Sequence, residues 1–151
     1  MLRGFCENIF HVGGTGAGHT MKLINNFVVI GSVSVWADAM VACRKLDVDP
    51  RQLVKVLNVG AINSPMFQNV GGGAAEGDFS RARFALKNAA KDVRYFVQAM
   101  TETQSAGVVT AAVNQSLNQA LALGFGADDK MIGSIIEAQA KLNNVDIPVK
   151  S

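Results

Sequence analysis

Apolar residues along this chain recur at helical rather than strand spacing. Between positions 23 and 41 they stand at Leu23, Ile24, Phe27, Val28, Ile30, Val33, Trp36, Met40 and Val41. On a helix they cover every side, which is the pattern of a central, buried helix. The β-branched run Val28-Val29-Ile30 would suit a strand on its own. The pattern continues well past eight residues, however, so length favours one long helix over 18–46. Asp47-Val48-Asp49-Pro50 then breaks it, with Asp49 as a cap and Pro50 at the first helical position. A short helix over 50–59 follows. Ser64-Pro65 repeats the signal and predicts a helix over 65–70, and the glycine-rich polar stretch 71–80 reads as a loop. Leu86, Ala90, Val93, Val97 and Met100 recur at spacings of three and four, predicting a helix over 83–103. Two more helices are expected, over 108–123 with Gly124 as its stop and over 128–142 with Asp128 and Asp129 capping its start. Residues 5–12 read as a short strand or connector. The fold class is all-α, a helical bundle around one long central helix.

Composition narrows this further. The chain has 151 residues, enough for one domain with a full core. Hydrophobic residues make up 49% and charged residues only 17%, so much surface is to be buried, part of it against a partner. A net charge of +2 is too small to argue for nucleic acid. Cys6 and Cys43 have no metal or redox spacing, and His11 and His19 flank a glycine break with no third ligand, so no metal site is expected. A reducing, cytoplasmic setting is the default. Residues 1–6 hold no apolar run of the signal-peptide kind. The longest uncharged apolar stretch, 23–37, falls short of the ~20 residues of a membrane span, so no membrane role is expected.

The chemistry concentrates where the long helix begins. Gly13-Gly14-Thr15-Gly16-Ala17-Gly18 precede Lys22, Asn25 and Asn26. Lys22 and Asn26 are four apart and share a face. Unpaired N–H groups at such a helix end suit an anionic or carbonyl-bearing ligand. The helix dipole disfavours a cation there by roughly 0.3–1 kcal/mol, which eases release of a proton. A solvated rim is the commonest fate of a lysine so placed, but an asparagine pair inside an apolar helix needs partners, and a ligand is one. A dinucleotide-binding turn is excluded, because G-x-G-x-x-G fails at His19 and at Met21. A second constellation, Arg83, Lys87, Lys91 and Arg94, is by default a solvated helix face. Its functional reading is an electrostatic lip for a phosphorylated or carboxylated ligand. The stripe is short and lacks the interleaved aromatics of a nucleic-acid surface.

Together these stretches resemble the β-hydroxyacid dehydrogenase family, which includes 3-hydroxyisobutyrate dehydrogenase and tartronate semialdehyde reductase, and more narrowly its C-terminal helical domain. The likeness lies in Gly14-Thr15-Gly16-Ala17-Gly18 leading to Lys22, Asn25 and Asn26, in Phe84 with the Lys91-Asp92 pair, and in Gly124-x-Gly126-x-x-Asp129. The last stretch departs from the family pattern at Ala127, where an acid is usual. The resemblance implies a bundle like the 6-phosphogluconate dehydrogenase C-terminal domain. It also implies Lys22 as general acid in carbonyl reduction and general base in alcohol oxidation. Asn26 is implied as the substrate anchor, with Asn25, Gly16 and Gly18 on the substrate side. Lys91 would approach the nicotinamide end of the cofactor, with Phe84 beside it and Asp92 in support. The implied cofactor is NAD or NADP, bound mainly by an N-terminal Rossmann domain that this chain lacks. Residues 1–12 would be the tail of that domain, and residues 13–151 the helical catalytic and oligomerisation domain of a fragment holding half an active site. The implied partners are a small 3-hydroxy acid and further copies of the chain, as a dimer or tetramer. The alternative is a non-catalytic oligomerisation or interaction module with a basic helix face.

Overall fold

The structure, a computed structural model, describes residues 8–148. Cys6 and the first part of the connector expected over 5–12 lie outside the described residues, and residues 8–12 have no regular secondary structure. The described chain is all-helical: α1 (Ala17–Lys45), α2 (Pro50–Val59), α3 (Pro65–Ala75), α4 (Leu86–Glu102), α5 (Val108–Ala122) and α6 (Ser134–Leu142). There is no strand among the described residues, although an isolated antiparallel bridge pairs Ala85 with Met131. α1 packs against each of the other five helices and is the axis of the bundle.

The two proline-marked starts form as their sequence dictates. The Asp49 carboxylate accepts from the Arg51 N–H at 2.9 Å, and the Ser64 hydroxyl oxygen accepts from the Phe67 N–H at 3.1 Å. Pro50 and Pro65 occupy the first turn, where a missing N–H costs nothing.

Three expectations need correction. α3 does not stop near 70 but runs through Gly71-Gly72-Gly73 to Ala75. The following turn folds back onto it: the Asp78 N–H donates to the Gly73 carbonyl at 2.9 Å, and a Cβ at Gly73 would lie 2.5 Å from the Asp78 carbonyl oxygen. This close approach overrides the poor helix propensity of glycine. The helix expected over 83–103 begins only at Leu86, and that expected over 128–142 begins only at Ser134. Both delays have one cause. The Leu86 N–H donates to the Lys130 carbonyl at 2.9 Å and the Ile132 N–H to the Phe84 carbonyl at 2.8 Å, which holds the two approaches against each other. Asp128 therefore caps nothing and pairs with Lys87.

The expectation of a helix buried all round is not met: only the second half of α1 is buried, and there on one side, with Val35 and Asp38 exposed. Ile30, Val33, Trp36, Ala37, Met40 and Val41 are buried, and Trp36 meets Phe67 edge-on at 5.1 Å between ring centroids. Met21, Ile24 and Val28 are exposed. At 29 residues α1 is roughly 40 Å long at 1.5 Å per residue, much longer than any other described helix. By length and apolarity it is also able to cross a membrane, which the shorter uncharged stretch 23–37 did not indicate.

Candidate functional site

The open end of α1 is built from glycine. Gly16 precedes the helix with φ 91°, a left-handed conformation that glycine adopts without strain. The His19 and Thr20 N–H groups donate to its carbonyl at 3.0 and 3.2 Å. No side chain caps this end and no acid lies in the first turn. Gly14 and Gly18 are different. Neither has a positive φ, and a Cβ at either would meet nothing within 4 Å. Nothing in the described chain requires glycine at these two positions.

Lys22 is exposed on the next turn and makes no ion pair among the described residues. Asn26, one turn further on the same face, is half-buried. Its Nδ2 donates to Asp92 Oδ2 of α4 at 2.7 Å. The Asp92 side chain is only 12% exposed, and its Oδ1 lies 3.6 Å from Lys91 Nζ. At the neighbouring position Phe27 stacks on Phe96 with centroids 4.3 Å apart. α1 and α4 are thus fastened at two successive positions, one polar and one aromatic.

The structure therefore brings Asn26, Asp92 and Lys91 together, with Lys22 one helical turn from Asn26. It leaves Asn25 exposed on another side of α1. Phe84 lies ahead of α4, packed against the core, and borders an open pocket of about 480 Å³ with Ser80, Arg83, Asn88 and Met131. The basic stripe is in part neutralised. Lys87 pairs with Asp128, whose carboxyl it holds below the usual carboxylate range by hydrogen bond and charge, and Lys91 faces Asp92. Arg94 lies 5.8 Å from the Tyr95 ring centroid. Among the described residues no three His, Cys, Asp or Glu side chains gather into a metal-sized group.

Asp92 as the partner of Asn26 was the feature that sequence spacing did not yield. A signal was present, because Asp92 lies three residues after buried Ala89 and four before Phe96, on the inner side of an amphipathic helix. A carboxylate there needs a donor.

A family model described as "NAD-binding of NADP-dependent 3-hydroxyisobutyrate dehydrogenase" matches residues 16–135. Among curated proteins, the chain is 30% identical over 129 residues to glyoxylate/succinic semialdehyde reductase 2, chloroplastic, of Arabidopsis thaliana, covering 85% of this chain and 35% of that protein. It is also 30% identical over 129 residues to glyoxylate/succinic semialdehyde reductase 1 of the same plant, covering 85% of this chain and 44% of that protein. The chain thus spans less than half the length of either relative. Among solved structures, 3-hydroxyisobutyrate dehydrogenase from Salmonella typhimurium superimposes with a TM-score of 0.81 at 21% identity, over 90% of this chain and 47% of that one. The superposition shows a shared fold.

Proposed function

The chain belongs to the 3-hydroxyisobutyrate dehydrogenase family, a family that binds NAD or NADP, and on that premise we propose that it is the proton-transferring helical part of an oxidoreductase acting on a small 3-hydroxy acid. One observation carries this reading. Lys22, without a counter-ion among the described residues, stands one turn from an asparagine amide fixed by Asp92, at a glycine-lined helix end that has neither cap nor acid.

A bound nicotinamide would supply or accept the hydride. Lys22 gives a proton to the substrate oxygen when a carbonyl is reduced and removes one when the alcohol is oxidised. Asn26 helps hold the substrate and Lys22 in place. Gly16 and Gly18 border the substrate, and the bare Gly14 and Gly18 leave the backbone open to close approach. The uncapped N–H groups favour the substrate carboxylate. Asn25, exposed on another side of α1, takes no part in holding the substrate oxygen. Lys91 steadies the nicotinamide end of the cofactor, and Phe84 acts indirectly by holding the approach to α4. These donors fit one end of a dinucleotide. The G-x-G-x-x-G turn that would cradle its diphosphate fails at His19 and Met21, so that part belongs to a Rossmann domain elsewhere in the parent protein. On this reading residues 1–12 are the tail of that domain, residues 13–151 are the helical domain, and the bundle is of the 6-phosphogluconate dehydrogenase C-terminal kind.

The parent is a homo-oligomer that covers the exposed apolar side of α1, where Phe27, Val28, Val35, Ile62 and Val109 border an open trough of about 460 Å³. Sedimentation of the full-length protein checks this: Val28→Asp should lower the mass of the assembly, and an unchanged mass counts against it. The catalytic reading is tested in the full-length protein with a panel of small 3-hydroxy acids and both dinucleotides. Lys22→Ala should lower kcat by about 10²- to 10⁴-fold with folding intact. Turnover within a few-fold of wild type would return Lys22 to the solvated rim. It would also leave the exposed apolar face as support for a non-catalytic interaction module.

A further inference from the structure

We propose that Asp92 is a positioning residue that sets which end of the Asn26 amide is offered to the substrate. The inference rests on the functional reading above and assigns a role to a residue that does not itself touch the reacting atoms. An ionised carboxylate only accepts hydrogen bonds, whereas an amide offers both an acceptor and two donors. The 2.7 Å contact from Asn26 Nδ2 to Asp92 Oδ2 therefore fixes the amide one way round. Oδ1 is left as its free end and makes no hydrogen bond among the described residues. The Oδ1 end of Asn26 is thus an acceptor toward the ligand, suited to a substrate hydroxyl or to the ammonium of Lys22, with the second Nδ2 hydrogen left on the Asp92 side.

Three features make this orientation firm. The contact is short and charge-assisted. The Asp92 side chain is 12% exposed, so little water competes for it. The Phe27–Phe96 stack beside it holds α1 and α4 at a fixed spacing, so the two groups cannot drift apart. The second Asp92 oxygen faces Lys91 at 3.6 Å, close enough for attraction and too long for a hydrogen bond, so the same carboxylate joins the α1 pair to the α4 cation.

The test is a double-mutant cycle in the full-length enzyme, reading kcat, KM for the hydroxy acid, KM for the dinucleotide and Tm. Asp92→Asn keeps the shape but can present either an oxygen or an amino group, so the Asn26 amide loses its fixed direction. kcat/KM for the hydroxy acid should fall on the order of ten- to a hundredfold, with Tm and KM for the dinucleotide unchanged. In the background of Asn26→Ala the same substitution should cost nothing further, because Asp92 acts through Asn26. Losses that add, a loss that disappears only in a Lys91→Ala background, or a fall in Tm that parallels the fall in activity would each overturn the proposal. So would a variant that does not fold, since the role would then be structural. Lys22→Ala, run alongside, separates the two readings. If it stays active, the catalytic reading of the site fails. If it is inactive while Asp92→Asn is untouched, only the role of Asp92 fails.

Discussion

Ile24 and Ile30 stand six residues apart on α1, and one is 40% exposed while the other is fully buried. Val28 and Val33 repeat the contrast at 57% and 0%. The two halves of α1 are alike in apolar content and opposite in fate. From Ile30 onward one side of the helix is enclosed, with Trp36 against Phe67 and Met40 out of contact with water, while Val35 on the other side stays exposed. Over residues 17–29 it stands clear, held to α4 by the Asn26–Asp92 bond and the Phe27–Phe96 stack. Apolar composition sets how much burial a helix can offer, and the elements that surround it decide where that burial happens. The half that carries the proposed site is not the half that anchors the fold.

The widest separation is expected between Lys22→Ala and Ile30→Ala. The first should abolish most turnover in the full-length protein and leave its unfolding midpoint unchanged. The second should remove about 2–5 kcal/mol of stability in denaturant titration, through lost burial and the cavity left behind. Ile24→Ala, the same chemical change on the open half, should alter stability by no more than about 0.5 kcal/mol. Equal losses at the two isoleucines would erase the distinction between the halves.

A smaller contrast separates two helical glycines. Gly73→Ala should destabilise by about 1–3 kcal/mol, since its Cβ would press against the Asp78 carbonyl. Gly18→Ala meets nothing and should stabilise by up to about 1 kcal/mol, while lowering kcat/KM in the full-length protein. A Gly18→Ala variant that keeps full activity would mean that no ligand approaches the backbone there.

Much of the fold could be read from residues a few positions apart. The periodicity of 86–100 and of 23–41 gave α4 and α1, and Asp49-Pro50 and Ser64-Pro65 marked the starts of α2 and α3. The late start of α6 and the continuation of α3 could not be read this way. Each depends on a backbone group meeting another part of the chain: Lys130 and Ile132 against the approach to α4, and Asp78 against Gly73. The candidate site divides along the same line. Lys22 and Asn26 were paired by helix spacing alone, but Asp92, 66 residues from Asn26, was left in a supporting place because its partner lies on another helix.

The sequence by itself determined that this chain is helical, where α2 and α3 are capped, and that one helix would carry a lysine and an asparagine on one face beside a glycine turn. Those properties follow from interactions within a turn or two of helix, which the local residues fully specify. Only the tertiary structure decided which half of α1 is buried, which carboxylate holds Asn26, and that Asp128 pairs with Lys87 rather than capping α6. Burial and long-range hydrogen bonds depend on which surfaces meet, and that is settled when the helices pack.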